Sequence, residues 1–362
     1  MTGARSRYES SDSRTYGPPA RLRDPIEFYI MRKSGGVKRV LLEAESIGHK
    51  ALKALGKTGN GCEIHSVFDH AVYISGGKNE LLKLILNKDF INPRSILIKG
   101  HESARIGSLG FEKRERVLFD GKKLTSGAVV IDISKARVLK KTRLPKNSTP
   151  VNTDETAFNL RLLRDVIYTC PGRAGLVPLL ENVEQRGPMK VFLEPQGDSV
   201  SEKARPHIEQ LMWGLYLGDL AAVSEKAGAI LGLGPGLTPS CDDFLAGLLM
   251  SLNFAGKAFR GKAGDPANFF KKVGDAIFKL SKVKTTIYSR GLIDDARSGE
   301  GPLAAIGLIG SLVSAAPDDT IASAKTLIGM GATTGADMAV GIFYGVRFLV
   351  SRLETEAFIE IA

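Results

Sequence analysis

Residues 232–249, GLGPGLTPSCDDFLAGLL, place the tightest constraint on how this chain folds. Glycines alternate through GLGPG, with Pro235 stiffening the middle, and the polar TPSCDD runs directly into an apolar helical pattern. This is the sequence form of a turn feeding a helix N-terminus. One reading is structural. Ser240 is then the N-cap, its hydroxyl accepting the Asp243 N–H, while Asp243 reaches back to the Ser240 N–H in a capping box with Asp in place of Glu. Asp242 and Asp243 also suit the positive end of the helix dipole. That reading leaves GLGPGLTP unexplained, because a cap does not require three glycines. The second reading is a ligand site, in which a close-approaching backbone exposes N–H groups to an anion at a helix start. Its candidate contacts are Gly234, Gly236, Leu237, Thr238 and Ser240. Two carboxylates would repel an anion unless a cation bridges them or they accept from an amide. Asp242 and Asp243 are therefore candidates either to hold Mg²⁺ beside a phosphate or to orient an N–H₂ group. The pattern is not a Walker A loop, since no GK[ST] follows. It is not GxGxxG either, since the third glycine falls at Leu237 or Pro239.

The same arrangement recurs further on. Ser240 is followed by Asp243 and Gly247, and Thr334 by Asp337 and Gly341, each time after a glycine-rich stretch. Two helix starts are thus predicted to be built alike and to face one another, which adds Thr334 and Asp337 to the candidate site. A second polar segment, KTTIYSRGLIDDARSGEGP (284–302), offers Thr285, Thr286, Ser289 and Arg290 ahead of a short helix. Arg290 is the candidate for bidentate contact with a carboxylate or phosphate. The alternative is a solvated helix with an i,i+3 pair between Asp294 and Arg297.

The remainder of the chain supplies the frame. The 362 residues, 43% of them hydrophobic, suffice for a sizeable core. A polar tail is expected over 1–30, a mainly β domain over 31–150 and a mainly α domain over 151–362, giving an α+β fold. PKNSTPVN (145–152) marks the boundary. Segment 37–56 reads in part as helix, and 62–75, 95–100, 116–124, 127–134 and 136–144 read as strands of a small sandwich or barrel. Helices are expected at 153–170 with Thr153 as N-cap candidate, 201–220 despite Pro206, and about 240–258, 265–282, 302–315, 318–328 and 336–354.

The net charge of +11 suits anionic partners, and 101–150 holds 12 Lys+Arg against 5 Asp+Glu. Those cations interleave with strand residues, which fits a solvated sheet face. Zinc-ligand spacing, RNP-like aromatics and a helix-turn-helix signal are all lacking, which argues against nucleic acid. Cys62, Cys170 and Cys241 form no disulfide framework. Cys241 has no histidine near it in sequence and reads as a small packing residue. His65 and His70, five apart, face opposite sides of a straight strand, so a shared metal site is not expected. No run of about 20 apolar residues is present to span a membrane, and a cytoplasmic protein is expected.

These segments resemble one family. GLGPGLTPSCDDFLAGLL is similar to the AllH signature GLGPGLTPSGDDFLAG, with Cys241 where the family usually has Gly. IHSVFDHAVYI (64–74), KTTIYSRGLIDDARSGE (284–300) and LIGMGATTGADMAVGI (327–342) fit the same pattern in order, so the resemblance spans about 38–350. It implies a subunit of an oxamate carbamoyltransferase in purine or allantoin nitrogen catabolism, interconverting oxalurate and phosphate with oxamate and carbamoyl phosphate. Other subunits of the complex are then its partners, and carbamoyl phosphate, phosphate or oxamate its ligand. Mg²⁺ is the one cofactor the acidic pair admits. The alternative is a non-catalytic binding or scaffold subunit.

Overall fold

A computed structural model describes residues 30–34, 37–58, 61–76, 80–100, 104–141, 151–169, 174–181, 199–258, 267–314 and 316–354. The tail 1–29, most of the expected boundary segment and Cys170 lie outside the described residues.

The N-terminal region is a barrel-like sheet. Its strands are β1 (Ile30–Ser34), β2 (Val37–Gly48), β3 (Cys62–Phe68), β4 (Ala71–Ser75), β5 (Leu81–Ile85), β6 (Ser95–Ile98), β7 (Arg116–Phe119), β8 (Lys123–Ser126), β9 (Val129–Asp132) and β10 (Arg137–Leu139). The order runs β2-β6-β5-β4-β3-β7-β8-β9, and β2 pairs with β9 to close the circuit. Closure depends on the 12-residue length of β2. Its first half pairs with β9 from Val40↔Val129 to Glu43↔Asp132, and its second half pairs with β6 across a bulge between Ala44 and Ser46. The interior is apolar, with Ile64, Val72, Leu82, Leu84 and Ile96 inaccessible to solvent.

Segment 37–56 is helical in part, as expected, but its first twelve residues are strand. Leu42, Ala44 and Ser46 are buried while Glu43 and Glu45 are exposed, which is strand alternation. Helical spacing begins only in α1 (His49–Thr58), whose Ala51, Ala54 and Leu55 cover the barrel. Segment 62–75 is a hairpin rather than one strand, turning at Asp69 and His70.

The C-terminal region is helical: α2 (Thr153–Thr169), α3 (Val200–Leu217), α4 (Leu220–Ile230), α5 (Ser240–Ala258), α6 (Ala267–Lys284), α7 (Ile287–Ala296), α8 (Leu303–Ser314), α9 (Pro317–Ile328) and α10 (Thr334–Glu354). Caps place several starts. Ser199 and Glu202 form a capping box on α3, which carries Pro206 within it. Asn152, not Thr153, caps α2, its Oδ1 accepting the Asp154 and Glu155 N–H groups at 3.0 and 3.3 Å.

Helix α5 is the axis of this region. Residues 240–252 are all buried, so α5 is enclosed on every side. Its crossing with α10 is made by glycine. A methyl group on Gly247 would lie 2.2 Å from the Met338 carbonyl oxygen, and one on Gly341 would lie 2.0 Å from the Phe244 carbonyl oxygen. Each helix thus seats its backbone against a bare Cα of the other. The contacts are reciprocal, since Gly247 and Gly341 each lie seven residues beyond Ser240 and Thr334, and Phe244 and Met338 four beyond.

The two regions meet along α7. Lys50 Nζ donates to Asp295 Oδ1 at 2.7 Å and pairs with Glu300 at 3.2 Å. Arg94 Nε donates to the same Asp295 oxygen at 3.0 Å and its Nη2 binds Asp294. Asp294 also pairs with Arg297 at 2.7 Å, the expected i,i+3 contact. The setting is not the solvated helix of the alternative reading, because Asp295 is 2% exposed and held by cations from the barrel side.

Gly247→Ala or Gly341→Ala should destabilise the protein by about 1–3 kcal/mol, by forcing α5 and α10 apart. Gly307→Ala, at an exposed helical position with open space around it, should instead gain up to about 1 kcal/mol. Urea midpoints of the variants check both.

Candidate functional site

The Gly-rich loop needs its glycines. Gly232, Gly234 and Gly236 have φ of 82°, 122° and 97°, in the left-handed region. A methyl on Gly232 would meet the Lys284 carbonyl at 2.5 Å, and one on Gly234 would lie 2.6 Å from the Ser240 nitrogen. Gly236 has no such neighbour, and with Pro235 and Leu237 it forms the exposed crest. The loop is held from outside and below. Thr286 Oγ1 donates to the Leu237 carbonyl at 2.7 Å, and the Cys241 N–H donates to the Leu233 carbonyl at 3.1 Å. Among the described residues, the N–H groups of Gly234, Gly236, Leu237 and Thr238 donate no hydrogen bond.

Beneath the crest the capping box does not form. The Asp242 and Asp243 N–H groups both bond to the Pro239 carbonyl, at 2.8 and 3.2 Å, and the Ser240 hydroxyl is buried without a partner. The three aspartates divide by what their oxygens do. Asp242 accepts the Gly232 N–H at 2.8 Å on Oδ1 and the Thr285 hydroxyl on Oδ2, so it ties the loop and α7 to α5. Asp243 accepts from Thr238 at 3.1 Å on Oδ2, and its Oδ1 has no partner. Asp337 accepts the Leu176 N–H at 2.7 Å on Oδ1, and its Oδ2 has no partner. All three are fully buried.

The two helix starts meet as the repeated pattern predicts. Thr238 and Thr334 hydroxyls lie 3.2 Å apart. Thr334 steadies the charged form of Asp243, and Ser240 that of Asp337, so each helix start serves the other's carboxylate. Ser240 does so by proximity, off the geometry of a hydrogen bond. Burial pushes Asp337 up to about 6, opposed first by the Leu176 N–H. Burial, and then the Asp337 charge, raise Asp243 well above the usual carboxylate range. Burial also raises Asp242, against the Thr285 hydroxyl and the Gly232 N–H. Burial and the neighbouring aspartates push the Cys241 thiol up, and its side chain is fully enclosed in the core. It sits in α5 without positive φ, so a side chain is accommodated where the signature has glycine.

Asp242 and Asp243 are neighbours on one helical turn, about 100° apart, and satisfy different partners. Asp242 is held by Gly232 and Thr285, and Asp243 by Thr238. Among the described residues, no group of three or more His, Cys, Asp or Glu is arranged to hold a metal ion. Arg290 donates from Nη2 to the Lys282 carbonyl at 2.9 Å, at the α6–α7 corner against which Gly232 packs.

Other contacts carry no sequence signal. Gly175 and Leu176 come from a distant turn, and a methyl on Gly175 would lie 2.3 Å from Asp337 Oδ1. On the barrel side, the register shift between Ile64 and Ser66 turns His65 and Ser66 toward α7. Ser66 Oγ lies 2.9 Å from the Tyr288 hydroxyl, which lies 3.2 Å from His65 Nδ1. His65 is therefore part of the inter-region seam, and only the bulge, invisible in composition, puts it there.

An Asp with a raised pKa is stabilising when protonated and costs stability as pH climbs from its unfolded value near 3.9 through its folded value. The contribution of Asp337 should thus fall between about pH 4 and pH 6. Asp337→Asn should gain about 1–3 kcal/mol relative to the native protein on going from pH 4 to pH 7. Urea unfolding across that range checks this, and parallel profiles would refute it.

Comparison with protein families gives two matches. Residues 43–138 match the AllH family N-terminal domain, and residues 230–346 match the family described as oxamate carbamoyltransferase subunit AllH. No curated protein matches, and no solved structure matches. The first match spans most of the barrel, and the second runs from the Gly-rich loop through the paired start of α10. With barrel, loop and paired helix starts all inside matched segments, the chain belongs to the AllH family.

Proposed function

We propose that the chain is the subunit of a carbamoyltransferase-type enzyme that binds a small anion bearing a phosphate or carbamoyl group. The observation that supports this best is the loop at 234–238, with its exposed crest at 235–237. Its N–H groups make no internal hydrogen bonds and it stands over the first turns of α5 and α10. Helix starts and bare N–H groups stabilise negative charge, including charge that develops on a departing phosphate. Gly234, Gly236, Leu237 and Thr238 hold the anion in this reading, Ser240 and Thr334 add hydroxyls, and Arg290 supplies the cation at the neighbouring corner for a carboxylate. Asp242 keeps the loop in place, while Asp243 and Asp337 orient the ligand. The family description supports oxamate and carbamoyl phosphate as reactants and other subunits as partners. Purine or allantoin nitrogen catabolism is the setting such a reaction serves.

The buried state of all three aspartates and the enclosed thiol favour a second reading, in which this subunit binds the ligand and partner subunits complete the chemistry. Carbamoyl transfer that appears only when the partner subunits are added would separate the two.

Thermal shift of the full chain tests the anion site. Inorganic phosphate or carbamoyl phosphate at 100 times its Kd should add about 2.7 kcal/mol of stability. Gly236→Ala strains the crest without a clash, and should weaken phosphate binding about tenfold, or 1.4 kcal/mol. If neither anion shifts the melting temperature, the reading fails.

A further inference from the structure

Beneath the anion crest lies a place of opposite chemistry. Ser240 Oγ, Asp243 Oδ1 and Asp337 Oδ2 are buried polar atoms without hydrogen-bond partners. Their residues are at most 1% exposed. Both carboxylates follow one plan: one oxygen is fixed, on Thr238 or on the Leu176 N–H, and the other is left over. Asp242, with both oxygens bonded, shows that the fold can satisfy a carboxylate here when it needs only structure. Glycine is the residue that packs on these atoms, and no larger side chain covers them from that side. A methyl on Gly234 would lie 3.2 Å from Ser240 Oγ, and one on Gly175 would lie 2.7 Å from Asp337 Oδ2. Among the described residues, no Lys, Arg or His forms an ion pair with Asp243 or Asp337, and the groups that act on their charge are hydroxyls, one N–H and other aspartates.

Buried acceptors of this kind call for a donor. A carboxylate carries no such donor and would be repelled by whichever aspartate is charged. Resting on the anion-site reading above, we propose that Ser240 Oγ, Asp243 Oδ1 and Asp337 Oδ2 form a subsite for the N–H₂ end of the ligand. They then act as specificity-determining residues that select a carboxamide over a methyl group. The ligand lies with its anionic end on the N–H groups of the crest and its amide end inward. Oxamate, oxalurate and carbamoyl phosphate all have this build, with a terminal carboxamide nitrogen at one end and an anion at the other. A site that hydrogen-bonds an N–H₂ group rejects an analogue lacking it more strongly than an apolar pocket could, because its own acceptors are then left unpaired.

Two isosteric pairs test this directly: carbamoyl phosphate against acetyl phosphate, and oxamate against pyruvate. Each differs by N–H₂ in place of CH₃. Calorimetric titration of the full-length protein should show at least a tenfold preference for the N–H₂ member of each pair. Asp337→Asn keeps an oxygen for the Leu176 N–H and turns its own N–H₂ toward the ligand. It should reduce that preference to threefold or less while leaving the affinity for inorganic phosphate within twofold. Ser240→Ala, a smaller change in case the Asn variant does not fold, should reduce the preference partway. Gly307→Ala, on the exposed face of α8, should leave it unchanged. Equal affinity for the two members in the native protein overturns the subsite and leaves the anion reading standing. A tenfold preference that survives both Asp337→Asn and Ser240→Ala also overturns the subsite. Failure of inorganic phosphate and of all four compounds to bind overturns both.

Discussion

The crossing of α5 and α10 is the constraint from which the rest of the helical region follows. Two backbones approach until each glycine Cα rests on the other's carbonyl, and no side chain larger than hydrogen fits between. Such closeness excludes water and rewards small residues, and it fixes the relative axial position of the helices within a fraction of a turn. Because the contacts sit the same distance from both N-termini, the two first turns emerge side by side. The loop, the aspartates and the threonines between them are arranged by that packing, which is set one and two turns deeper in the core.

Helix α7 extends this arrangement outward. Thr285, just before its N-cap, and Ser289 on its first turn reach Asp242, and another face carries Tyr288, Asp294 and Asp295 to the barrel. A single helix thus references the loop to the barrel through short polar contacts. Buried ion pairs such as Arg94 and Lys50 with Asp295 add little net stability, since desolvation offsets their attraction. Their loss is nevertheless expensive, which makes them a stringent specification of one docking geometry.

Much of this was legible in the sequence, wherever one local rule decided the outcome. The bounds of α5 follow from Pro239 and Ser240 and from an uninterrupted apolar run, and the facing helix starts follow from the repeated spacing of hydroxyl, Asp and Gly. Local rules failed where distant residues compete. The Ser240-to-Asp243 spacing spells a capping box, but the Pro239 carbonyl takes the N–H groups, Thr238 takes Asp243, and the serine hydroxyl is left over. The two aspartates that look alike in sequence part company because Asp242 meets Thr285 and Gly232 while Asp243 does not. Residues 37–48 contain helix formers, yet they become a strand because both edges of the barrel must close on them. Gly175 and Leu176 are silent in sequence, since their contribution is a bare Cα and one backbone N–H.

The likeness of the two helix starts is broken within their first turn. Ala336 stands where α5 has Asp242, and Gly335 where α5 has Cys241. Gly335 can be nothing larger, since a methyl there would lie 1.9 Å from the Leu327 carbonyl. Only the α5 copy is therefore pinned to the loop and to α7, and three left-handed glycines precede it where Gly331 alone precedes α10. A doubled element with one modified copy has a front and a back. Any molecule lying across both starts meets different chemistry at its two ends, so an almost symmetrical cradle acquires direction.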